Sequence, residues 1–175
     1  MSGSSDLVEI VEYDPSWAAR FVQERPHLAE VFDGRAVAIE HIGSTAVPDL
    51  CAKPIVDILV GLRELELAEL EIEAMRTLGY EYLGELGVPG RLFFRKGDPR
   101  THNVHVVEYG GEHWRRHLAF RDALRSNPVE RRRYDKLKRR LAAEGHPREA
   151  YTELKTPFIR EVEARARAQG GPPAS

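Results

Sequence analysis

The run Ile55-Val56-Asp57-Ile58-Leu59-Val60 constrains the fold more than any other stretch of the chain. It is near-continuously apolar rather than alternating, and too short for an independent helix. That pattern predicts a strand covered on both faces, and therefore one central in its sheet. Asp57 is the exception within it. A carboxylate in such a strand costs several kcal/mol unless donors, a cation or a ligand meet it. Two readings follow and stay open here: Asp57 faces a ligand site, or it is neutralised by Lys53 or by an arginine of the C-terminal part.

The pattern on either side completes an architecture. Asp14-Pro15 reads as an N-cap and first helical residue, and Trp17, Phe21, Leu28 and Phe32 recur near helical spacing until Gly34. Alternation over Ala36 to Ile42 predicts a strand, and residues 64 to 78 a helix closed by Gly79. Strand signals return at Tyr80 to Leu83, across Val88-Pro89-Gly90 into Leu92 to Arg95, and at Asn103 to Glu108. After Tyr109-Gly110-Gly111 the spacing becomes helical throughout. Asn127-Pro128 predicts a cap and N1 pair, and Pro157 predicts a kink or a fresh helix start. The expectation is an α/β (α+β) domain over residues 8–168, with a mixed sheet of about five strands and a helical C-terminal flank. Residues 1–7 and 169–175 read as disordered ends.

Length and charge limit the function. One domain of 175 residues can bury roughly two-thirds of its unfolded surface without staples. Its single cysteine, Cys51, cannot form an internal bridge, and no apolar run approaches a membrane span, so the sequence predicts a cytoplasmic, non-membrane protein. Residues 1–111 carry 10 basic and 19 acidic side chains, and residues 112–175 carry 16 and 9. The basic flank suggests a polyanion partner, but its charges interleave with acids along amphipathic helices, and aromatic-glycine RNA-reading signatures are absent. Nucleic acid is therefore the least favoured partner.

The chemistry concentrates where the first strand ends. Gly43 lets backbone approach a ligand, and Ser44 offers an N–H and a hydroxyl to phosphate oxygens; a plain turn is the alternative. Lys53, Arg91, Arg95, Lys96 and Lys155 are the candidate phosphate cations. Tyr151 and Lys155 share a helix face and suit a base and a phosphate together, unless Tyr151 is core. His105 and Glu108 have opposite strand parity, so at most one faces the Asp57 site. His102, His105, His113 and His117 invite comparison with zinc sites, but no His-Glu-x-x-His occurs and the cysteine is elsewhere.

The segments Tyr13-Asp14-Pro15-x-Trp17, His41-Ile42-Gly43-Ser44-Thr45-Ala46-Val47-Pro48, Ala52-Lys53-Pro54-Ile55-Val56-Asp57, His105-Val106-Val107-Glu108, Phe120-Arg121-Asp122 and Tyr151-x-x-x-Lys155 resemble the GrpB family over about residues 8 to 168. The resemblance implies a nucleotidyltransferase-like fold in which a Gly-Ser turn holds a nucleoside triphosphate and strand carboxylates hold Mg²⁺ or Mn²⁺. It implies ligand contacts from His41, Gly43, Ser44, Thr45, Lys53, Tyr151 and Lys155. It also implies metal or catalytic roles for Asp57 and His105, with Glu108 as the fallback, and transfer of a nucleotidyl or phosphoryl group to an unknown acceptor. A non-catalytic module for a nucleotide or CoA-like ligand is the alternative. Leu59 favours it, because it stands where that superfamily places its second carboxylate.

Overall fold

The computed structural model describes residues 7–170. Five strands form one sheet: β1 (Ala36–Ile42), β2 (Val56–Leu62), β3 (Tyr80–Tyr82), β4 (Arg91–Lys96) and β5 (His102–Glu108), in the order β1-β2-β5-β4-β3. Only β2 and β5 run parallel; every other pairing is antiparallel. The sheet is mixed, as the sequence predicts. One expectation shifts: β2 is interior, but the middle strand is β5, because the β3–β4 hairpin extends the sheet beyond it.

Side-chain alternation along β2 divides the molecule into two layers. Val56, Ile58, Val60 and Leu62 point to one face with Val104 and Val106, and helices α1 (Ser16–Phe32) and α2 (Glu69–Thr77) cover it with Trp17, Leu28, Phe32 and Met75. Asp57, Leu59 and Gly61 fall on the other face by the period of two. There α3 (Glu112–Ser126) brings Trp114 over Ile42, Leu59 and Val107. Helices α4 (Pro128–Ala143) and α5 (Arg148–Ala168) build a further cluster with Leu124, Tyr134, Phe158 and Val162, joined by Val47 and Leu50.

Local chemistry accounts for the boundaries. Asn127 Oδ1 accepts from the Val129 and Glu130 amides at 3.0 and 3.2 Å, capping α4 ahead of Pro128. Asp14 Oδ1 accepts from the Ser16 amide at 2.8 Å and Pro15 has helical dihedrals, the cap and first-residue pair that Asp14-Pro15 predicts at the start of α1. Helix α2 begins at Glu69 rather than 64 because Glu71 Oε2 accepts the Ala68 amide at 2.9 Å, while Arg35 holds the Glu66 carbonyl. Within it Met75 is buried, whereas Leu70 is 83% exposed. Pro157 neither ends nor restarts a helix, since α5 runs through it for 21 residues.

The expectation that both ends are disordered lies mostly outside the described residues. Leu7, however, bridges to Pro147. No described helix is long and apolar enough to cross a membrane.

Gly61 sets how closely α3 approaches the sheet. A Cβ built there would lie 2.8 Å from Trp114 Cζ3 and 3.0 Å from Tyr109 Cδ2. The ring and the strand backbone are in direct contact, with no room for a methyl group. Gly61→Ala is expected to destabilise the protein by about 1–3 kcal/mol through overpacking, read as a lowered urea midpoint with an unchanged slope.

Candidate phosphate-ligand site

Strand β1 ends at Ile42, which pairs with Asp57 across the antiparallel ladder. The chain must then turn away, and Gly43 does so at φ 73° and ψ −170°, a conformation open only to glycine. A Cβ on Gly43 would lie 2.9 Å from Asp57 Oδ2, so the turn rests directly on the carboxylate. A single 3₁₀ turn over Ser44–Ala46 follows. The two features singled out by sequence therefore share one spot.

The parallel ladder supplies the partners of Asp57. Asn103 pairs with Asp57, and His105 pairs with Leu59 one pleat further along the same face. Asp57 Oδ1 accepts from Asn103 Nδ2 at 3.1 Å and lies 3.3 Å from His105 Nε2. Burial pushes the Asp57 carboxyl up, but the bond and charge of His105, the Asn103 bond and the charge of Lys53 outweigh it, so the net shift is down. The side chain stays 29% exposed. His105 Nδ1 and Asn103 Oδ1 are buried with no hydrogen-bond partner among the described residues. The His105 ring contacts Phe93 and His117 at centroid distances of 5.2 and 5.5 Å. Burial, and then His105, push His117 down to about 3, so it is neutral.

Three lysines gather beside this face. Lys155 Nζ sits 4.4 Å and Lys53 Nζ 5.6 Å from the ring centroid of Tyr151, which is 0% exposed and whose hydroxyl finds no partner among the described residues. Lys138 Nζ donates to the Cys51 carbonyl and lies 5.1 Å from the Tyr134 centroid. Asp135 Oδ1 accepts the Cys51 amide at 2.9 Å, so α4 grips both backbone groups of one residue in the loop carrying Lys53. Burial, and then Lys53 and Lys138, push Lys155 down to about 7, against the charge of Asp57. Lys138 falls to about 8, chiefly by burial. The Ser44 hydroxyl meets the buried Tyr134 phenol, whose own shift is upward through burial.

The structure distributes the other predicted residues. His41 and Thr45 bond each other at 2.9 Å and line a separate open cleft of about 290 Å³ with Tyr13, Pro48, Arg125 and Arg131. Burial pushes His41 down to about 4. Glu108 is exposed and pairs with Leu62, five residues along β5 from the partner of Asp57, or roughly 17 Å at 3.3 Å per residue. Tyr151 is core and its ring carries two ammonium groups, so it offers no platform for a base. Arg95 and Lys96 are held by Glu81 and Glu24. Arg91 donates to the Glu85 carbonyl, and its charge interacts with that of Asp57.

Sequence reasoning passed over Asn103, Tyr134 and Lys138. The register against β2 points to the first; the i, i+4 spacing of the other two puts them on one face of α4 but does not mark them as site residues. Part of the basic flank is paired with acids: Arg116 with Glu163, Arg121 with Glu40, Arg133 and Arg165 with Glu130, and Arg139 with Glu12 and Asp135.

The donor set does not fit a pair of divalent cations. Leu59 is 0% exposed and sits in the apolar cluster under Trp114. The other strand carboxylate on this part of the face, Glu40 opposite Leu59, is held by Arg121 at 2.7 Å, and the Oδ1 of Asp57 is already engaged. Among the described residues no three His, Cys, Asp or Glu side chains converge as they would around an ion. His113 Nε2 instead bonds the Pro89 carbonyl at 2.7 Å.

A family model described as "GrpB protein" matches residues 7–165. The chain is 42% identical over 163 residues to the UPF0157 protein YqkA of Bacillus subtilis, covering 91% of this chain but only 47% of that protein, about half its length. It is 34% identical over 163 residues to the glutamate-rich protein GrpB of Alkalihalophilus pseudofirmus, covering 89% of this chain and 93% of that one. The crystal structure of conserved protein GrpB from Enterococcus faecalis superposes with a TM-score of 0.85 at 40% identity, covering 92% of this chain and 98% of that chain.

Lys155 gives the site a signature in the stability of the fold. Its folded pKa of about 7 lies below the ordinary 10.5, so holding it protonated costs free energy below pH 7. That cost is shed as the pH rises from about 7 toward the ordinary value. Between pH 7 and 10 the protein is expected to gain on the order of 1–3 kcal/mol more stability than Lys155→Met, measured by urea denaturation across the range.

Proposed function

The chain belongs to the GrpB family, and we propose that it is a binding protein for a nucleoside triphosphate or a similar phosphorylated ligand, held at the turn Gly43-Ser44. The carrying observation is that a glycine-only turn rests on the partly exposed carboxylate of Asp57, within electrostatic reach of Lys53 and Lys155. A turn without a Cβ brings backbone N–H groups close to phosphate oxygens, and ammonium groups nearby offset their charge. Leu59 in the second carboxylate position, with Glu40 beside it tied up by Arg121, argues against in-line transfer between two metal ions.

One observation favours a second reading. The Asp57–His105 contact orients an imidazole whose buried Nδ1 has no partner among the described residues, so an acceptor hydroxyl inserted against it would find a free lone pair for its proton. In that reading the site transfers a phosphoryl or nucleotidyl group to an acceptor. Turnover of any triphosphate that Asp57→Asn abolishes would establish it over simple binding.

The binding reading is tested by calorimetric titration with ATP, GTP, CTP and UTP, with and without Mg²⁺. At least one is expected to bind saturably. Gly43→Ala is expected to weaken it tenfold or more, and Ser44→Ala, which leaves the backbone intact, about fivefold for one lost hydrogen bond. No binding of any nucleotide, or full affinity in both variants, would overturn the proposal.

A further inference from the structure

At the same site three lysines face two carboxylates, Asp57 and Asp135. Lys53 comes from the loop before β2, Lys138 from α4 and Lys155 from α5, so three elements distant in sequence bring ammonium groups to one place. Like charges do not assemble in a partly desolvated site without cost, and each of these lysines opposes ionisation of Lys155 or is opposed by a neighbour. An anion is the ligand that reverses the cost. A divalent cation approaching Asp57 would meet Lys53 and Lys155 with the same sign of charge, whereas a polyphosphate would meet a matched surface.

Resting on the binding reading above, we infer that this pocket recognises its phosphates without a metal ion, the ammonium groups of Lys53 and Lys155 standing where Mg²⁺ stands in two-metal sites. Two lysine charges equal the charge of one Mg²⁺. The buried Tyr151 hydroxyl, without a partner among the described residues, is an independent sign that the lysine cluster is built for something further. Asp57 then acts through the lysines: it favours the charged form of Lys155 and is itself held ionised partly by Lys53.

The groups that set this charge balance are Lys53 and Cys51 from the loop, Asp57 from β2, Tyr134, Asp135, Lys138 and Arg139 from α4, and Tyr151 from the same helix as Lys155. A bound polyanion raises the proton affinity of Lys155. Binding therefore takes up protons above pH 7 and weakens as the pH rises.

The full chain is titrated with ATP and with inorganic tripolyphosphate, in excess EDTA and again in millimolar Mg²⁺, at pH 6.5 and 8.5. Both ligands are expected to bind in EDTA at least as tightly as with Mg²⁺, and about tenfold more weakly at the higher pH. Lys155→Met and Lys53→Met are each expected to weaken binding tenfold or more, with the fold checked by thermal denaturation. Lys136→Met, on the exposed side of α4, should leave it unchanged. Binding that requires Mg²⁺ would overturn the inference and leave the nucleotide-binding reading standing. So would binding in EDTA that is indifferent to Lys53 and Lys155, or equally sensitive to Lys136. Absence of binding by both ligands under every condition would overturn both.

Discussion

The pairing of β2 with β5 is the constraint on which the rest of the molecule depends. It is the one parallel pairing in the sheet, and it needs the excursion through α2, β3 and β4 before the chain can return. That return puts Asn103 beside Asp57 and His105 beside Leu59. A carboxylate intolerable in an isolated apolar strand thereby acquires donors from its neighbour. Shifting the register by one residue would point Asp57 into the apolar layer of Trp17, Phe32 and Met75, away from Asn103 and His105. The ladder and the site are one design.

The sheet was legible because its evidence is local. Alternation in Ala36 to Ile42 and continuity in Ile55 to Val60 each report the burial of their own strand, and the turn residues mark where strands stop. The start of α2 was not legible, because Glu71 and Arg35, which hold the chain out of helix until Glu69, meet only in the folded state. Pro157 misled for a similar reason: one lost backbone bond is small beside the packing of Tyr151, Phe158 and Val162 on the same helix.

The site was legible in part. Gly43, Ser44 and Asp57 lie within one short segment, and the resemblance carried by that segment drew attention to all three. Strand parity allowed only one of His105 and Glu108 to face the site, and the family resemblance favoured His105. Lys138 and Tyr134 could not be assigned from spacing alone, since a lysine and a tyrosine on an amphipathic helix look like ordinary surface and core. What makes them part of the site is the depth at which α4 sits over the loop from Val47 to Ile55. Tyr151 shows the converse, a residue well chosen by motif whose ring the fold turns inward.

The grip of α4 on Cys51 has a mechanical meaning. A backbone residue held at its amide by Asp135 and at its carbonyl by Lys138 cannot rotate its flanking peptides, so the loop rides with the helix as one piece. Lys53 lies two residues beyond that anchor. Its distance from Lys155 is then governed by how α4 sits against α5, rather than by the slack of a surface loop. Helix packing, which yields little, becomes the ruler for the spacing of two charges.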